Sequence, residues 1–338
     1  VVVSSRVRLA RNLRNAPFPG HAKAPELKMI LETVFDAAEK VPAFRGGHFW
    51  RLARTPRLLQ EMLKERHLIS QNMCDAPGDR GLALDAEGKS PVMVNEEDHL
   101  RLSAIEPGFQ LAAAWERVNA LDEALGAKLA WAYDAEWGFL TACPTNCGTG
   151  MRVSARLHLP ALGLLGQLPP LLQSLGRLGL AVRGFHGEGT QALGDIYQVS
   201  NAATLGRSEP EILRHVSNTV KRLVRHEQEA REKIKAPPHA GAMEDQAYRA
   251  MAVLLSARRI GYEETMSLLS RVRLGLFLGY PLPVSLPTLH RIMVVAQPAH
   301  LQDMRGKELR PDERDFFRAE TVRHLLRQDP SGTSSPFP

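Results

Sequence analysis

The sequence is poor in cysteine, in lysine and in aromatic residues, and it has no long apolar run. Three cysteines, Cys74, Cys143 and Cys147, cannot pair into an even disulfide framework, so a reducing, cytoplasmic setting is expected. No stretch approaches the roughly 20 apolar residues of a membrane-spanning helix, so no membrane partner is expected. Val1-Val2-Val3 is too short for a signal core and lacks an initiator Met, so the first residues read as missing. Lysine supplies only 10 of the 43 basic residues, and arginine supplies 33. A solubilising surface can use either, but arginine is the side chain that grips planar oxyanions bidentately. Genome composition accounts for much of the excess, though not for where particular arginines cluster.

Several signatures are also missing. There is no Gly-x4-Gly-Lys-Ser/Thr loop, no Gly-x-Gly-x-x-Gly after a strand, and no His-Arg-Asp or Asp-Phe-Gly pair. His-Glu-x-x-His and Cys-x-x-Cys metal sites are absent too, which leaves zinc without a ligand set. The net charge of +6 is dispersed, and no recognition helix or aromatic-basic module suggests direct nucleic-acid binding.

What remains is a soluble composition, 44% apolar and 24% charged, with alternating and helical patterns in a clear order. Val3 to Leu9 reads as a strand, 26–42 and 56–67 as helices, and Pro91 to Asn95 as a short strand. A helix over 109–130 precedes a strand from Trp137 to Ala142, and Val153 to Leu159 alternates as a half-buried strand. Then come a helix over 161–177, strands at Leu180–Phe185 and Asp195–Ser200, and a long helix over 209–235. Ala236-Pro237-Pro238-His239-Ala240-Gly241 breaks the pattern, and beyond it only helices follow, over 242–258, 263–278, 286–296 and 312–327. The expected class is α+β: a mixed domain over 1–235, an all-helical domain over 242–329, and a flexible tail over 330–338.

Three groups could carry chemistry. Arg6 and Arg8 lie two apart on a strand and share a face; Arg101, Arg152 and Arg183 sit at strand ends beside loops. Each alone reads as a surface arginine, but together they could cage a triphosphate. Glu96, Glu97 and Asp98 form a carboxylate run in which alternation lets only one glutamate face a pocket, and Glu188 lies between glycines. Cys143 opens a turn-rich run, Cys143-Pro144-Thr145-Asn146-Cys147-Gly148-Thr149-Gly150, a poor core segment and a good setting for a thiolate.

Carboxylates and a thiolate suit a guanidinium or amine, and an arginine cage suits nucleotide phosphates. The reaction that uses both is phosphoryl transfer to nitrogen. A guanidinium has delocalised lone pairs and stays protonated, so a carboxylate must orient it and take a proton as the N–P bond forms.

At these residues the chain resembles the phosphagen (guanidino) kinase family. Ser4-Ser5-Arg6-Val7-Arg8 is similar to its phosphate-binding strand, Asn95-Glu96-Glu97-Asp98-His99-Leu100-Arg101 to its acidic motif, and Cys143 to Gly150 to its thiolate motif. The bacterial protein-arginine kinase branch is the closer likeness. It shares Arg183-Gly184-x-x-Gly187-Glu188-Gly189, Tyr197 to Asn201, Thr204-Leu205-Gly206 and Gln297 to Gln302. Small-substrate members carry a helical domain in front of the catalytic one; here the arginine strand comes first and the helices follow.

The resemblance implies an antiparallel-sheet, glutamine-synthetase-like catalytic domain with flanking helices, followed by a small helical domain. It implies that Arg6, Arg8, Arg101, Arg152 and Arg183 bind ATP phosphates, with Mg2+ held mainly through ATP. Glu97 is then the base, Glu188 holds the guanidinium with it, and Cys143 is the active-site thiolate. Arg314, Asp315 and Arg318 match an allosteric phosphoarginine-binding element. Implied partners are a second copy of the chain, arginine-containing proteins including a winged-helix heat-shock repressor, a zinc-binding activator protein and a Clp ATPase/protease. Arg156 replaces a histidine that stacks on adenine in creatine-type enzymes, and Ala142 replaces a serine before the cysteine. A kinase for free arginine and a catalytically weak regulatory protein remain as alternatives.

Overall fold

A computed structural model describes residues 1–184 and 192–329. The strands, in chain order, are β1 (Val2–Arg11), β2 (His48–Arg51), β3 (Gly81–Leu84), β4 (Pro91–Val94) and β5 (Leu100–Pro107). They continue with β6 (Tyr133–Asp134), β7 (Gly138–Phe139), β8 (Met151–His158), β9 (Leu180–Arg183) and β10 (Ile196–Asn201). Eight of them form one antiparallel sheet in the order β2-β3-β4-β5-β1-β8-β10-β9, and β6 and β7 make a separate hairpin.

The register decides what the two faces carry. Arg8 pairs with Ser103 on one side and Arg152 on the other; Arg6 pairs with Ile105 and Ser154. Arg101 pairs with Ala10, Arg156 with Ser4 and Gln198, and Arg183 with Gln198. Directly paired residues share a face, so Arg6, Arg8, Arg101, Arg152, Arg156 and Arg183 all stand on one side of the sheet. The other side is apolar: Val7, Leu9, Leu102, Ala104, Val153, Ala155 and Val199 are buried there. It packs against α1 (Ala24–Glu39), and against α4 (Leu111–Gly126) and α7 (Glu209–Ile234), which follow further along the chain.

Each of those helices follows from its sequence. Leu27, Ile30, Leu31, Val34 and Ala38 bury one face of α1. Ser208 and Glu211 form a capping box at the start of α7, with Pro210 in the first turn, where it costs no hydrogen bond. On the arginine side, α2 (Arg57–Glu65) and α3 (Gln71–Asp75) lie beside a small core of Leu63, Met73, Leu82 and Met93.

Two expected elements differ. The helix over 161–177 is broken into α5 (Pro160–Leu164) and α6 (Leu168–Arg177), because Gly166 turns left-handed at φ 66°. The strand expected from Trp137 to Ala142 survives only as β7. The Leu140 N–H goes to Ala132 O and its carbonyl accepts from Asn12, so no ladder continues towards Cys143.

The C-terminal helices are α8 (Ala240–Ser256), α9 (Tyr262–Leu278), α10 (Leu286–Val295), α11 (Pro298–Arg305) and α12 (Pro311–Arg327). Met251, Leu254, Met266, Val272, Ile292 and Val322 centre a second apolar core, which Ile196 of β10 joins. The α11 helix stands where the sequence reads only a proline-bounded connection; Pro298 occupies its first turn, the helical position proline tolerates.

Candidate active site

The connection between β4 and β5 separates the two adjacent glutamates. Asn95 is left-handed at φ 58°, and its amide donates to Leu27 O and Asp79 O, each at 2.7 Å. The Glu96 side chain is 5% exposed, and it accepts from Ser70 Oγ at 2.7 Å, from its neighbour's N–H at 3.1 Å, and from Arg101 at 2.7 Å. Burial alone would raise its pKa, but Arg101, Ser70, the Glu97 N–H and Arg8 outweigh that and hold it below the usual carboxylate range. The Glu97 side chain is 42% exposed and touches Arg101 at 2.9 Å. Glu96 is thus a buried anchor, and Glu97 is the carboxylate more open to solvent.

Asp98 and His99 bind this turn to the end of β1. Asp98 Oδ1 accepts from Asn12 Nδ2 and from the Ala142 N–H, both at 2.7 Å. The Leu13 N–H can only donate, so His99 Nδ1 accepts it at 2.9 Å and Nε2 donates to Pro17 O, also at 2.9 Å. Burial lowers the His99 pKa and keeps the ring neutral.

The cysteine segment is held with equal care. A single 3-10 turn over Pro144–Asn146 follows Cys143, whose Sγ lies 3.0 Å from the Thr145 hydroxyl. The Thr204 hydroxyl donates to Cys147 O at 2.5 Å and lies 3.1 Å from Thr145 O, which closes the turn from behind. Gly150, at φ 63°, lies so close to β1 that a Cβ would stand 2.6 Å from Ala10 O. Arg11 is 2% exposed; it grips Asp122 and donates to Thr149 O, bracing the same loop from the apolar side.

A cavity of about 880 Å³ brings these pieces together. Glu97 and Cys143 line it together with Arg8, Arg101, Arg152 and Arg183. A second cavity of about 490 Å³ adjoins it along Arg8, Arg101 and Arg183 and reaches Arg6 and Arg156. Burial, then Arg156 and Arg101, push the Arg6 pKa down to about 9, with Glu96 opposing. Burial and the neighbouring arginines push Arg8 well down too, and burial brings Arg156 to about 10. The Nε atoms of Arg6 and Arg8 are buried, and neither has a hydrogen-bond partner among the described residues. Crowded, desolvated cations of this kind bind a polyanion whose charge relieves their repulsion.

Other expected residues lie elsewhere. Glu188 lies outside the described residues. Arg318, on α12, is 2% exposed and donates to Ala296 O at 2.7 Å, Ile260 O at 2.9 Å and Asp315 at 2.6 Å. Arg314 and Asp315 are half-buried one turn earlier, remote in sequence from the sheet. Sequence pattern gives no role to Ser70, Asn12 or Arg11, because their partners are 26 to 138 positions away; Thr204 stands in a shared motif, but its bond to the cysteine turn is visible only in the fold. Among the described residues no three His, Cys, Asp or Glu side chains converge as a metal cluster. Arginines cannot ligate a cation, so a Mg2+ beside those that line the two cavities would take the oxygens of a bound anion and water as ligands.

Residues 29–230 match the ATP:guanido phosphotransferase C-terminal catalytic domain. The chain belongs to that family. Residues 240–336 match the protein-arginine kinase McsB C-terminal domain. A protein-arginine kinase of Moorella thermoacetica is 43% identical over 96% of this chain and 94% of its own length. One from Halothermothrix orenii is 39% identical over 96% of this chain and 93% of its own. Among solved structures, a lombricine kinase aligns with a TM-score of 0.61 at 28% identity, covering 67% of this chain and 66% of its own. The family's antiparallel catalytic fold is therefore the fold of this sheet, and ATP is the family's phosphoryl donor.

Proposed function

We propose that this chain is a protein-arginine kinase, transferring the γ-phosphoryl group of MgATP to arginine side chains of proteins. The observation that carries it is a single cavity lined by Glu97 and Cys143 together with Arg8, Arg101, Arg152 and Arg183. The near full-length likeness to protein-arginine kinases supports a protein acceptor.

In this reading Arg6, Arg8, Arg101, Arg152 and Arg183 neutralise the triphosphate and hold the γ-phosphorus in line with the acceptor. Glu97, with Glu188, orients the guanidinium. An acceptor nitrogen attacks phosphorus, the N–P bond forms, and the β–γ bridging P–O bond breaks with its electron pair leaving on ADP. Glu97 takes the proton the nitrogen gives up. Cys143, beside it, stabilises the cation electrostatically without attacking phosphorus.

The rest of the reading follows the family. A catalytic domain over 1–235 and a helical domain over 242–329 act as a cytoplasmic homodimer. Arg314, Asp315 and Arg318 sense phosphoarginine, a zinc-binding activator tunes the enzyme, and marked proteins, a winged-helix heat-shock repressor among them, pass to a Clp protease. Mass-spectrometric mapping after incubation with ATP and an unfolded acceptor protein tests the central claim. Acid-labile phosphate on arginine side chains is the expected result; label on free arginine alone overturns the protein acceptor.

A further inference from the structure

The two adjoining cavities have a direction. Glu97 and Cys143 line only the larger, so the acceptor enters there and the γ-phosphorus must point towards it. Arg8, Arg101 and Arg183 line both, and the phosphate chain runs along them. The second cavity continues from these arginines away from Glu97 and Cys143, and its volume of about 490 Å³ accommodates a base and a ribose.

That cavity is not closed by the sheet alone. Arg6, Arg156 and Gln198 form its floor, and Ile69 and Met93 add apolar surface. One wall comes from α2, α3 and the turn between them, with Lys64, His67 and Gln71, and the C-terminal helices add Tyr262, the first residue of α9, and Gln297 and Pro298 at the start of α11. Tyr262 and Arg156 line the same cavity, and burial raises the Tyr262 pKa, so its hydroxyl stays protonated. An aromatic ring, a guanidinium plane and an amide are the groups that contact the faces and edges of a heteroaromatic base.

A bond set between helices places this wall. The Glu65 carboxylate, at the end of α2, accepts from the Ala299 N–H at 2.7 Å, the His300 N–H at 3.1 Å and His300 Nδ1 at 2.6 Å. Gln297 Nε2 donates to Glu65 O at 3.3 Å. Both side chains are almost fully buried, at 9% and 11% exposed, so the contact is desolvated and directional.

We propose that Tyr262 and Gln297 bind the nucleoside end of ATP, so that the C-terminal helices complete the nucleotide site. This rests on the kinase reading above. Glu65 and His300 are then positioning residues that hold the wall against the sheet.

The test uses the full chain and two probes, ATP and inorganic triphosphate, which occupies the arginine cage without a nucleoside. Tyr262→Ala and Gln297→Ala should each weaken ATP binding and raise its KM about tenfold. Triphosphate affinity and the KM for the acceptor protein should stay within about twofold, since neither residue meets phosphate or acceptor. Tyr262→Phe keeps the ring and should retain most of the affinity, and Glu65→Gln should show the same nucleoside-selective loss as Gln297→Ala. ATP and triphosphate weakening together, or ATP binding unchanged in both alanine variants, overturns the assignment. A wild-type chain that binds neither probe and makes no phosphoarginine overturns the kinase reading instead.

Discussion

The backbone N–H of Ala142 donates to Asp98 Oδ1 at 2.7 Å, and this bond joins the Cys143 segment to the turn that carries Glu97. The same oxygen accepts from Asn12, so β1, the acidic turn and the cysteine loop meet at one atom. Asp98→Ala removes that junction, and kcat should fall about 100-fold through misplacement of both half-sites. Asp98→Asn keeps an oxygen able to accept both bonds and should retain most activity. Steady-state kinetics on the two variants decide it; equal losses in both would mean that the charge, not the junction, matters.

Glu97 and Glu96 should fail differently. Glu97→Gln leaves a side chain already 42% exposed, so the fold should persist while transfer falls about 10²- to 10⁴-fold. Glu96→Gln disturbs a buried carboxylate bound by Arg101 and Ser70, so its first effect should be a lower melting temperature. Phosphoarginine yield set beside thermal unfolding separates the two. Unimpaired transfer in Glu97→Gln would remove the base assignment.

Ala142 offers no hydroxyl to the cysteine, but Thr145 Oγ1 lies 3.0 Å from Cys143 Sγ. A hydroxyl that donates to sulfur favours the thiolate. Thr145→Val should therefore slow alkylation of Cys143 by iodoacetamide at neutral pH about fivefold, and Ala142→Ser should speed it and alter the pH profile of activity. Identical alkylation rates in all three proteins would show that neither hydroxyl governs the thiolate.

The pattern of legible and illegible features has a physical basis. The two-residue spacing of Arg6 and Arg8 puts them on one face whatever the tertiary structure, and so that face was readable. Which of Glu96 and Glu97 points outward depends on Ser70 and Arg101, and alternation could say only that one would. Periodicity reads 161–177 as one helix because a single left-handed glycine carries little weight in a periodic pattern. The α11 helix is illegible in the sequence because it is held by Glu65, 234 positions away, rather than by its own periodicity. Arg318 read as a binding residue by resemblance, and its burial by Ala296 and Ile260 is a tertiary fact.

Two histidines give stability a defined pH dependence. Burial lowers the pKa of His99, and burial with Arg273 and Arg231 nearby lowers that of His158 further. His158 Nε2 meets Ser270 Oγ at 2.8 Å, and that hydroxyl donates to Asp195 at 2.5 Å. Both rings stay neutral in the fold while the unfolded chain protonates them below about pH 6.5. The unfolded state then binds more protons, so stability present above that pH is lost as pH falls, by up to about 1.4 kcal/mol per pH unit for each ring. Urea midpoints measured from about pH 7.5 to about 5.5 should fall, and His158→Gln should flatten the slope. A midpoint independent of pH would contradict the buried neutral assignment.

Arg314 and Arg318 separate structure from regulation. Arg318 makes three hydrogen bonds from a nearly closed site, so Arg318→Ala should cost about 3–5 kcal/mol and lower the melting temperature of the C-terminal helices. Arg314, half-buried one turn earlier, has a side chain on which packing depends less. Arg314→Ala should unfold at nearly the wild-type temperature yet lose the response of the kinase to added phosphoarginine. The comparison needs both readouts on both variants. A wild-type response in Arg314→Ala, with the fold intact, would take that residue out of the regulatory site and leave α12 a purely structural helix.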